Sequence, residues 1–578
     1  MLSGLVRKEV LGVQGDPRSP ERGQYGFLQD LVRHVAYETL SKRERKTRHL
    51  AAAEHLEGAF AELDEVAEVL ASHYLAAFEA APDVEDAQAI RARAREMLAR
   101  AGARAGSLGA PEEGRRYYQQ AAALSGDALV EAELLEQAGR LAVQANRPAE
   151  AREQLERAIS LYADAGESKA AARAGAALAN AESEEGRLEQ AATRLEQALT
   201  ELEQGKPSEE LAAALAQLGR IHVLAGRLDE ATAPLERALT LAERLQLPEV
   251  FVEALISKSL MLLLRGRLAE TRILLEAAVE LAHAEQLYTS LFRAENNLAA
   301  LLEASDLYAE ALAVNERTLS LVRRRGDRRW ESLLRTGGLV ERAMLGRWDE
   351  ALTIAAEEEP QIATEAVRGQ LLAVARIYCE RGELEPARAL LTSAAALRDS
   401  EDPQLRAVHG AVEARLLRGE GRDGEALAAA ERGLAVLREL GMQLDVKVSL
   451  VEGIEAALSL RDLDKADELL AIPEALDPGQ LSPFLQASST RLRARVDAAR
   501  GSHDQVDERF RSAAARCREF GLMFHLAVTQ LEHAEWLTAQ NRSDEAQPLL
   551  SEARQTFEQL QATPWLARTA REPEAVIS

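Results

Sequence analysis

Ten histidines and two cysteines are the residues of this 578-residue chain best suited to hold a metal or attack a carbonyl. Zinc hydrolysis needs two histidines one helical turn apart with a glutamate between them, so that both imidazoles and the general base share a face. No H-E-x-x-H occurs and no two histidines stand four apart; His525 and His533 are eight apart, with no carboxylate motif beside them. They read as packing or solvated side chains. Cys379 and Cys517 are isolated within helical patterns, which fits small buried residues better than nucleophiles. Asp462-Leu-Asp464-Lys-Ala-Asp467 resembles the opening of a calcium loop but lacks its glycine and closing glutamate. Acids at that point suit the start of a helix. The phosphate cradle G-x-x-x-x-G-K-[ST] is absent, the nearest string being Gly166-Glu-Ser-Lys169, and no G-x-S-x-G is present. The chain therefore reads as non-catalytic, with no cofactor and no metal.

Two further strings could bind rather than react. Arg323-Arg324-Arg325-Gly-Asp-Arg328-Arg329 is the one dense basic run, suited to closing a helix C-terminus, with an anion site as the alternative. Glu295-Asn296-Asn297-Leu298 puts two amides, each donor and acceptor, in an otherwise apolar helix. The string resembles the Asn-bearing first helix of peptide-binding helical repeats, which implies an amide paired with the backbone of an extended peptide; bonding within the protein or facing water is an equal alternative.

Composition limits the class. Lys plus Arg number 70 against 95 Asp plus Glu, a net charge of −25, which nucleic-acid phosphates repel. Two cysteines cannot frame a disulfide scaffold and suit a reducing cytoplasm. The first residues lack the apolar core of a signal peptide. The longest apolar stretch, Ala254–Leu264, is interrupted by Lys258 and falls short of the ~20 residues that cross a bilayer. The expectation is a soluble cytoplasmic protein with no nucleic-acid or membrane partner, rich in the helix formers Ala, Leu, Glu and Arg.

What must position any binding residue is a repeat. Anchors fall at Gly114, Ala151, Ala191, Ala231, Thr271, Ala311, Ala351, Ala387, Ala426, Ala466, Val506 and Ala546, with most steps of 40 residues. Five residues before the anchor stands Gly in eight copies and Asn146, Asp306 or Asn541 in three; Arg461 departs. These residue types tolerate the left-handed conformation that ends a helix, so this column marks the elbow of a helical hairpin. Four residues after the anchor comes a large side chain (Tyr118, Leu155, Leu275, Phe510) and seven after it usually Ala, all on one helical face. Twelve before the anchor a small residue recurs: Gly102, Gly139, Ala179, Gly219, Ser259, Ala299. Small residues let the two helices approach while the large one fills the gap. Pro360 after the seventh copy and Pro473, Pro478 and Pro483 around the tenth predict short second helices and a bend or break near 471–484.

Leu218-Gly219 with Ala231-x3-Leu235-x2-Ala238 resembles the tetratricopeptide repeat. The forty-residue period is similar to the long repeats of bacterial maltose-activator-type regulators. The resemblance implies an all-α, tetratricopeptide-type α-solenoid, a right-handed superhelix of about 12 helical hairpins. In that family the first helix of each hairpin lines a concave groove that binds a protein or peptide. On this register the groove residues are Asn180, Gln217, Arg220, Leu260, Arg293, Asn296, Asn297 and Val340.

The head differs. Residues 1–50 carry ten Lys/Arg and six Asp/Glu, a net of +4, leaving −29 for the remaining 528. The first twenty-five, with Gly12, Gly15, Pro17, Pro20 and Gly23, look irregular, and Tyr25–Leu40 reads as an amphipathic helix. Phe27, Leu31, Val32, Arg33, Val35, Ala36, Tyr37, His49, Leu56, Glu57, His73 and Tyr74 resemble the winged-helix end of bacterial STAND-class signalling ATPases; Gln29 and Arg48 depart from that pattern. The resemblance implies a small winged-helix-like remnant in front of the array. The expected division is 1–57 remnant, 58–94 connecting helices, 95–470 array, 471–484 break, 485–562 array and 563–578 cap and tail. It further implies the sensor-bearing C-terminal part of a regulator, as a truncated gene product or a separately encoded piece, with an ATPase or effector domain as partner in cis or trans. Relatives of that type carry adenylate/guanylate cyclase or DNA-binding domains. A free-standing assembly scaffold, or part of an ATPase or cyclase whose catalytic domains lie elsewhere, are the alternatives.

Overall fold

The computed structural model describes residues 2–8, 10–13, 25–60, 63–145, 147–358, 365–437, 444–477, 479 and 481–570. Helix dominates, as the composition dictates. Among the described residues twelve hairpins follow one another, the first six being Ala87–Ser107 with Pro111–Ala123, Ala128–Gln144 with Pro148–Asp164, Ser168–Glu184 with Leu188–Leu202, Glu209–Leu224 with Leu228–Leu245, Pro248–Leu264 with Leu268–Ala284, and Tyr288–Ala304 with Tyr308–Arg325. The seventh has a split first helix, Arg328–Gly337 and Leu339–Met344, before Trp348–Ala356. The rest are Glu365–Arg381 with Leu384–Ser393, Pro403–Gly419 with Asp423–Leu434, Leu444–Ser459 with Leu463–Glu474, Pro483–Ala499 with Val506–Glu519, and Met523–Ala539 with Ser543–Leu560. A short helix, Thr563–Thr569, closes the series. The chain divides into two units, Met1–Ala177 and Leu178–Ser578. Among the described residues, no helix is long and apolar enough to cross a membrane.

The anchor column fixes where each second helix begins. It is the fourth residue of that helix in eleven hairpins, and Val506 opens its own. The elbow column is left-handed as its residue types require: all eight glycines lie at φ between 72° and 81°, and Asp306, Arg461 and Asn541 near 60°. Asn146 lies outside the described residues. Reverse-turn bonds seal each elbow, as where Gly226 N donates to Val223 O and Arg227 N to His222 O. A second left-handed column, fifteen residues after the anchor, closes the second helices at Gly166, Gln246, Gln286, Gly326, Gly521 and Gln561. Half of these are glutamine, a residue with no turn signal, so the sequence hides them. Gly166 thus belongs to a turn between hairpins.

Close approach explains the small column. A methyl on Gly102 would meet the Tyr118 ring at 2.9 Å, on Gly139 Leu155 Cγ at 2.5 Å, and on Gly219 Leu235 Cγ at 2.5 Å. In each case the small residue of the first helix receives the large residue four past the anchor of the second. Gly219→Ala gains about 1 kcal/mol of helix propensity and loses about 1–3 kcal/mol to overlap. A lower urea midpoint is expected in the wild-type background. With Leu235→Ala also present the sign should reverse, because the obstructing atoms are gone.

In the second unit, consecutive first helices touch one another from Glu209–Leu224 to Tyr288–Ala304 and again from Glu365–Arg381 to Met523–Ala539. This repeated stacking of hairpins makes the array a tetratricopeptide-type α-solenoid.

The proline-rich stretch shortens its helix as expected, Leu463–Glu474 carrying Pro473 in its last turn. It does not part the core: Leu469, Leu470, Phe484 and Leu485 share one cluster, with Ile472, Leu476 and Leu481 against it. Trp348–Ala356 is likewise short, at nine residues; Pro360 and Pro478 lie outside the described residues.

The head is more structured than its composition suggests. Leu2–Arg7 is helical, and Leu11–Val13 pairs antiparallel with Tyr25–Phe27, Leu11 opposite Phe27. Gly15, Pro17, Pro20 and Gly23 lie outside the described residues. The expected helix over Tyr25–Leu40 is confined to Asp30–Glu38. A boundary at 57 falls inside Lys42–Ala59, and one at 95 inside Ala87–Ser107. Ala53, Leu70, Tyr74, Ile90, Ala94, Met97 and Ala121 form one cluster, so the head from Lys42 onward shares its core with the first hairpin.

Candidate functional site: the face of the first helices

Positions eighteen, fourteen to fifteen and eleven before the anchor stand about one turn apart and share one face of each first helix. All eight sequence-selected residues fall on these positions, and all are half-buried. Their neighbours separate them. Leu260 packs with Leu263, Leu275 and Leu301, and Val340 with the core of the seventh hairpin. Arg293 is paired with Glu253, which also accepts from Ser290 Oγ at 2.7 Å. Arg220 is not free. Gln217 Nε2 is buried with no hydrogen-bond partner. Among the described residues, Asn180, Asn296 and Asn297 make no side-chain hydrogen bond, so bonding within the array does not account for the Asn pair.

Beyond the seventh hairpin the same column continues as Arg376, Arg415, Glu455, Arg495 and Glu535, which the sequence reading did not follow. Here the face is filled by its own charges. Arg415 grips Glu380 with two bonds of 2.7 Å, and Trp565 Nε1 donates to the same carboxylate at 2.8 Å. Arg418 reaches Glu452 at 2.5 Å, Arg491 bridges Glu455 at 2.6 Å and Glu532 at 2.7 Å, and Arg495 adds a 2.5 Å bond to Glu455. Arg568 of the closing helix holds Glu535 through bonds of 2.7 and 2.6 Å. Burial works to raise Glu455, but Arg495, Arg491 and Arg418 overcome it and hold the carboxyl well below its usual range. Glu380 behaves alike: burial opposes ionisation, and Arg415 with Trp565 reverses it.

The remaining sequence candidates have structural roles. Cys379 and Cys517 are buried thiols pushed up by burial to about 12 and about 11, far from nucleophilic. Asp462 caps the helix Leu463–Glu474, accepting from Lys465 N at 3.0 Å. His533 stacks on Phe510 and bonds Asp507 at 2.9 Å. Arg323 and Arg325 end a helix, one paired with Glu331 at 2.9 Å and the other 3.7 Å over the Tyr288 ring; the side chains of Arg328 and Arg329 lie outside the described residues.

Spacing alone could not show one cluster in the head. Tyr37 Oη lies 3.0 Å from His49 Nε2, and His49 Nδ1 lies 3.0 Å from His73 Nδ1. Neutral rings satisfy this chain, Tyr37 donating to His49 and His49 to His73. Burial lowers both histidines, His49 also through the neighbouring His73. Tyr74 and Arg93 both donate to Glu57. Of the residues that carried the winged-helix resemblance, Tyr37, His49, Glu57, His73 and Tyr74 therefore tie three helices together, whereas Phe27, Leu31 and Val35 are exposed.

No family model and no curated protein matches the chain. Among solved structures it is similar to yeast Tom70, at 14% identity and a TM-score of 0.32, over 77% of this chain and 96% of that one. It is also similar to the Cut9–Hcn1 hetero-tetramer of APC/C, at 14% identity and a TM-score of 0.45, over 93% and 98% of the two chains. A monomeric mutant of IFIT1 with Gppp-AAAA follows at 12% identity and a TM-score of 0.38, over 66% and 90%. All three scores are low; the hairpin register of this chain is what defines its fold.

Proposed function

We propose that the chain is a non-catalytic interaction module that takes an extended protein or peptide segment along the first helices of its third to sixth hairpins. The observation behind this reading is the set of half-buried amides that, among the described residues, have no side-chain partner: Asn180, Gln217, Asn296 and Asn297, at related positions of the third, fourth and sixth hairpins. An amide can give and accept one bond each to a peptide backbone, and hairpins at a fixed repeat could present such pairs along an extended strand. From the eighth hairpin on, the same face is occupied by the protein's own ion pairs, which favours the earlier hairpins. The module is proposed to serve a bacterial signalling ATPase-type regulator, with residues 1–57 as the remnant that joins it to an ATPase or effector domain. The head's helix and paired strands, and its three-helix tie through Tyr37, His49 and His73, support that part of the reading.

The test is selection of peptides from a display library on the full chain, followed by affinity measurement on variants. Asn297→Ala should weaken the selected peptide by about 1–3 kcal/mol, roughly 5- to 150-fold in Kd, with helicity unchanged. Equal affinity at equal helicity removes Asn297 from the site.

A further inference from the structure

The elbows of several hairpins rest on hairpins about five further along. Glu189 N, just past the elbow of the third hairpin, donates to Glu401 at 2.8 Å, and a methyl on Gly186 would stand 2.7 Å from Glu365. A methyl on Gly346 would meet Leu560 at 3.4 Å, and one on Gly382 would meet Pro564 at 3.0 Å. Beside that last elbow, Arg381 Nε donates to Leu560 O at 3.1 Å. Hairpin 3 thus meets the carboxylates of Glu401 and Glu365 through its backbone, and hairpins 7 and 8 close onto later hairpins through backbone and apolar contacts.

The sixth hairpin closes differently. Its elbow is Asp306 instead of glycine, held at φ 59°. The carboxylate accepts from Lys447 Nζ at 2.8 Å, Tyr308 Oη at 3.0 Å and Phe484 N at 2.6 Å. Lys447 also donates to Ala304 O at 3.2 Å and Ser482 Oγ at 3.0 Å. Both side chains are fully shielded from solvent, and 141 residues separate them in sequence. Every charge is met, so the docked state is whole. Undocked, both charges return to water, where hydration offsets what the pair loses. The pair lies inside an apolar seam, because Tyr308 shares one cluster with Val448, Leu450, Phe484 and Leu485, so opening it also exposes greasy surface; within that seam the ion pair adds a demand for one register more than it adds net stability.

We propose that Asp306 and Lys447 form a latch by which the elbow of the sixth hairpin docks onto the tenth and eleventh in an all-or-none manner. Releasing it frees the start of Pro483–Ala499 and loosens the charged face of the eighth to twelfth hairpins. The latch rests on its own geometry, whatever binds the earlier hairpins.

The amide of Phe484 reports the docked state directly, because its acceptor is Asp306. Hydrogen exchange on the full chain should show Lys447→Met raising exchange at Phe484 and through Met523–Ala539 by about 100-fold or more, with the first two hairpins unchanged. Adding Asp306→Asn keeps an acceptor for Phe484 N, turns its amide nitrogen toward Tyr308 Oη, which then accepts, tolerates the left-handed elbow and removes the second charge. The double variant should exchange as slowly as wild type or slower. The latch is overturned by unchanged exchange in Lys447→Met, by loss of protection extending to the first two hairpins, or by a double variant as fast as the single one.

Discussion

Arg491→Leu is expected to lower the stability of the last hairpins by about 3 kcal/mol, near the lower end for removing one partner of a buried pair. The guanidinium sits between Glu455 and Glu532, and all three groups are less than 10% exposed. Leucine replaces the stem but leaves two carboxylates in a place where water cannot reach them freely. Arg495 and Arg568 remain near those carboxylates, which keeps the loss from reaching the upper end. Arg500→Ala is the contrast. That side chain pairs with Asp464, which is fully exposed, and with Asp467, so its loss should cost under about 1 kcal/mol. Exchange rates along Pro483–Ala499 and Met523–Ala539 measure both, since a long array need not unfold in one step. A triple change of Arg491, Glu455 and Glu532 to leucine should recover part of the loss, because no charge is left buried. Equal effects for Arg491→Leu and Arg500→Ala would show that the buried ladder contributes no more than a surface pair.

The hairpins were legible because each column of the repeat answers a separate steric demand. Gly219 is small because Leu235 arrives there, and Gly226 is glycine because the chain must turn left-handed. Arg461 takes the same conformation without the residue type, so position in the repeat outweighed identity. The strand pair at Leu11 and Phe27 was not legible: three residues a side carry no alternation to read. Nor were the partners of distant residues. A lone aspartate in a glycine column marks Asp306 as odd, but nothing in the spacing points to Lys447. His49 and His73 stand 24 apart, outside any single helical face. The face of the first helices was half legible. Its amides stood out as poor helix formers, whereas nothing in the types or spacing of Arg415, Glu455 and Glu535 points to their ion-pair partners on the neighbouring hairpins and the closing helix.

The second large effect is on acid stability, and it centres on His525. Its ring lies between Phe484 and Phe524. Burial pushes its pKa down to about 3, with Arg376 and Arg491 adding repulsion and Glu380 and Glu455 opposing them. In the unfolded chain it titrates near 6.5. Between those values the unfolded state binds a proton that the folded state refuses, so stability falls as pH drops from about 6.5. The slope approaches about 1.4 kcal/mol per pH unit if the full shift is realised. Glu380 and Glu455 act in a different window. Their folded values lie below 4.5, so their contribution is complete above 4.5 and is lost as pH falls through the folded values. His222, His409 and His533 are also lowered by burial, so wild type and variant must be compared directly. His525→Phe should flatten the decline between pH 6.5 and 4.5 by roughly 1–2 kcal/mol and leave the steeper loss below 4.5 in place. Urea midpoints followed by exchange in Met523–Ala539 across that range decide it. Parallel curves for the two proteins would mean that the ring accepts its proton in the folded state, and that Phe484 and Phe524 do not shut water out.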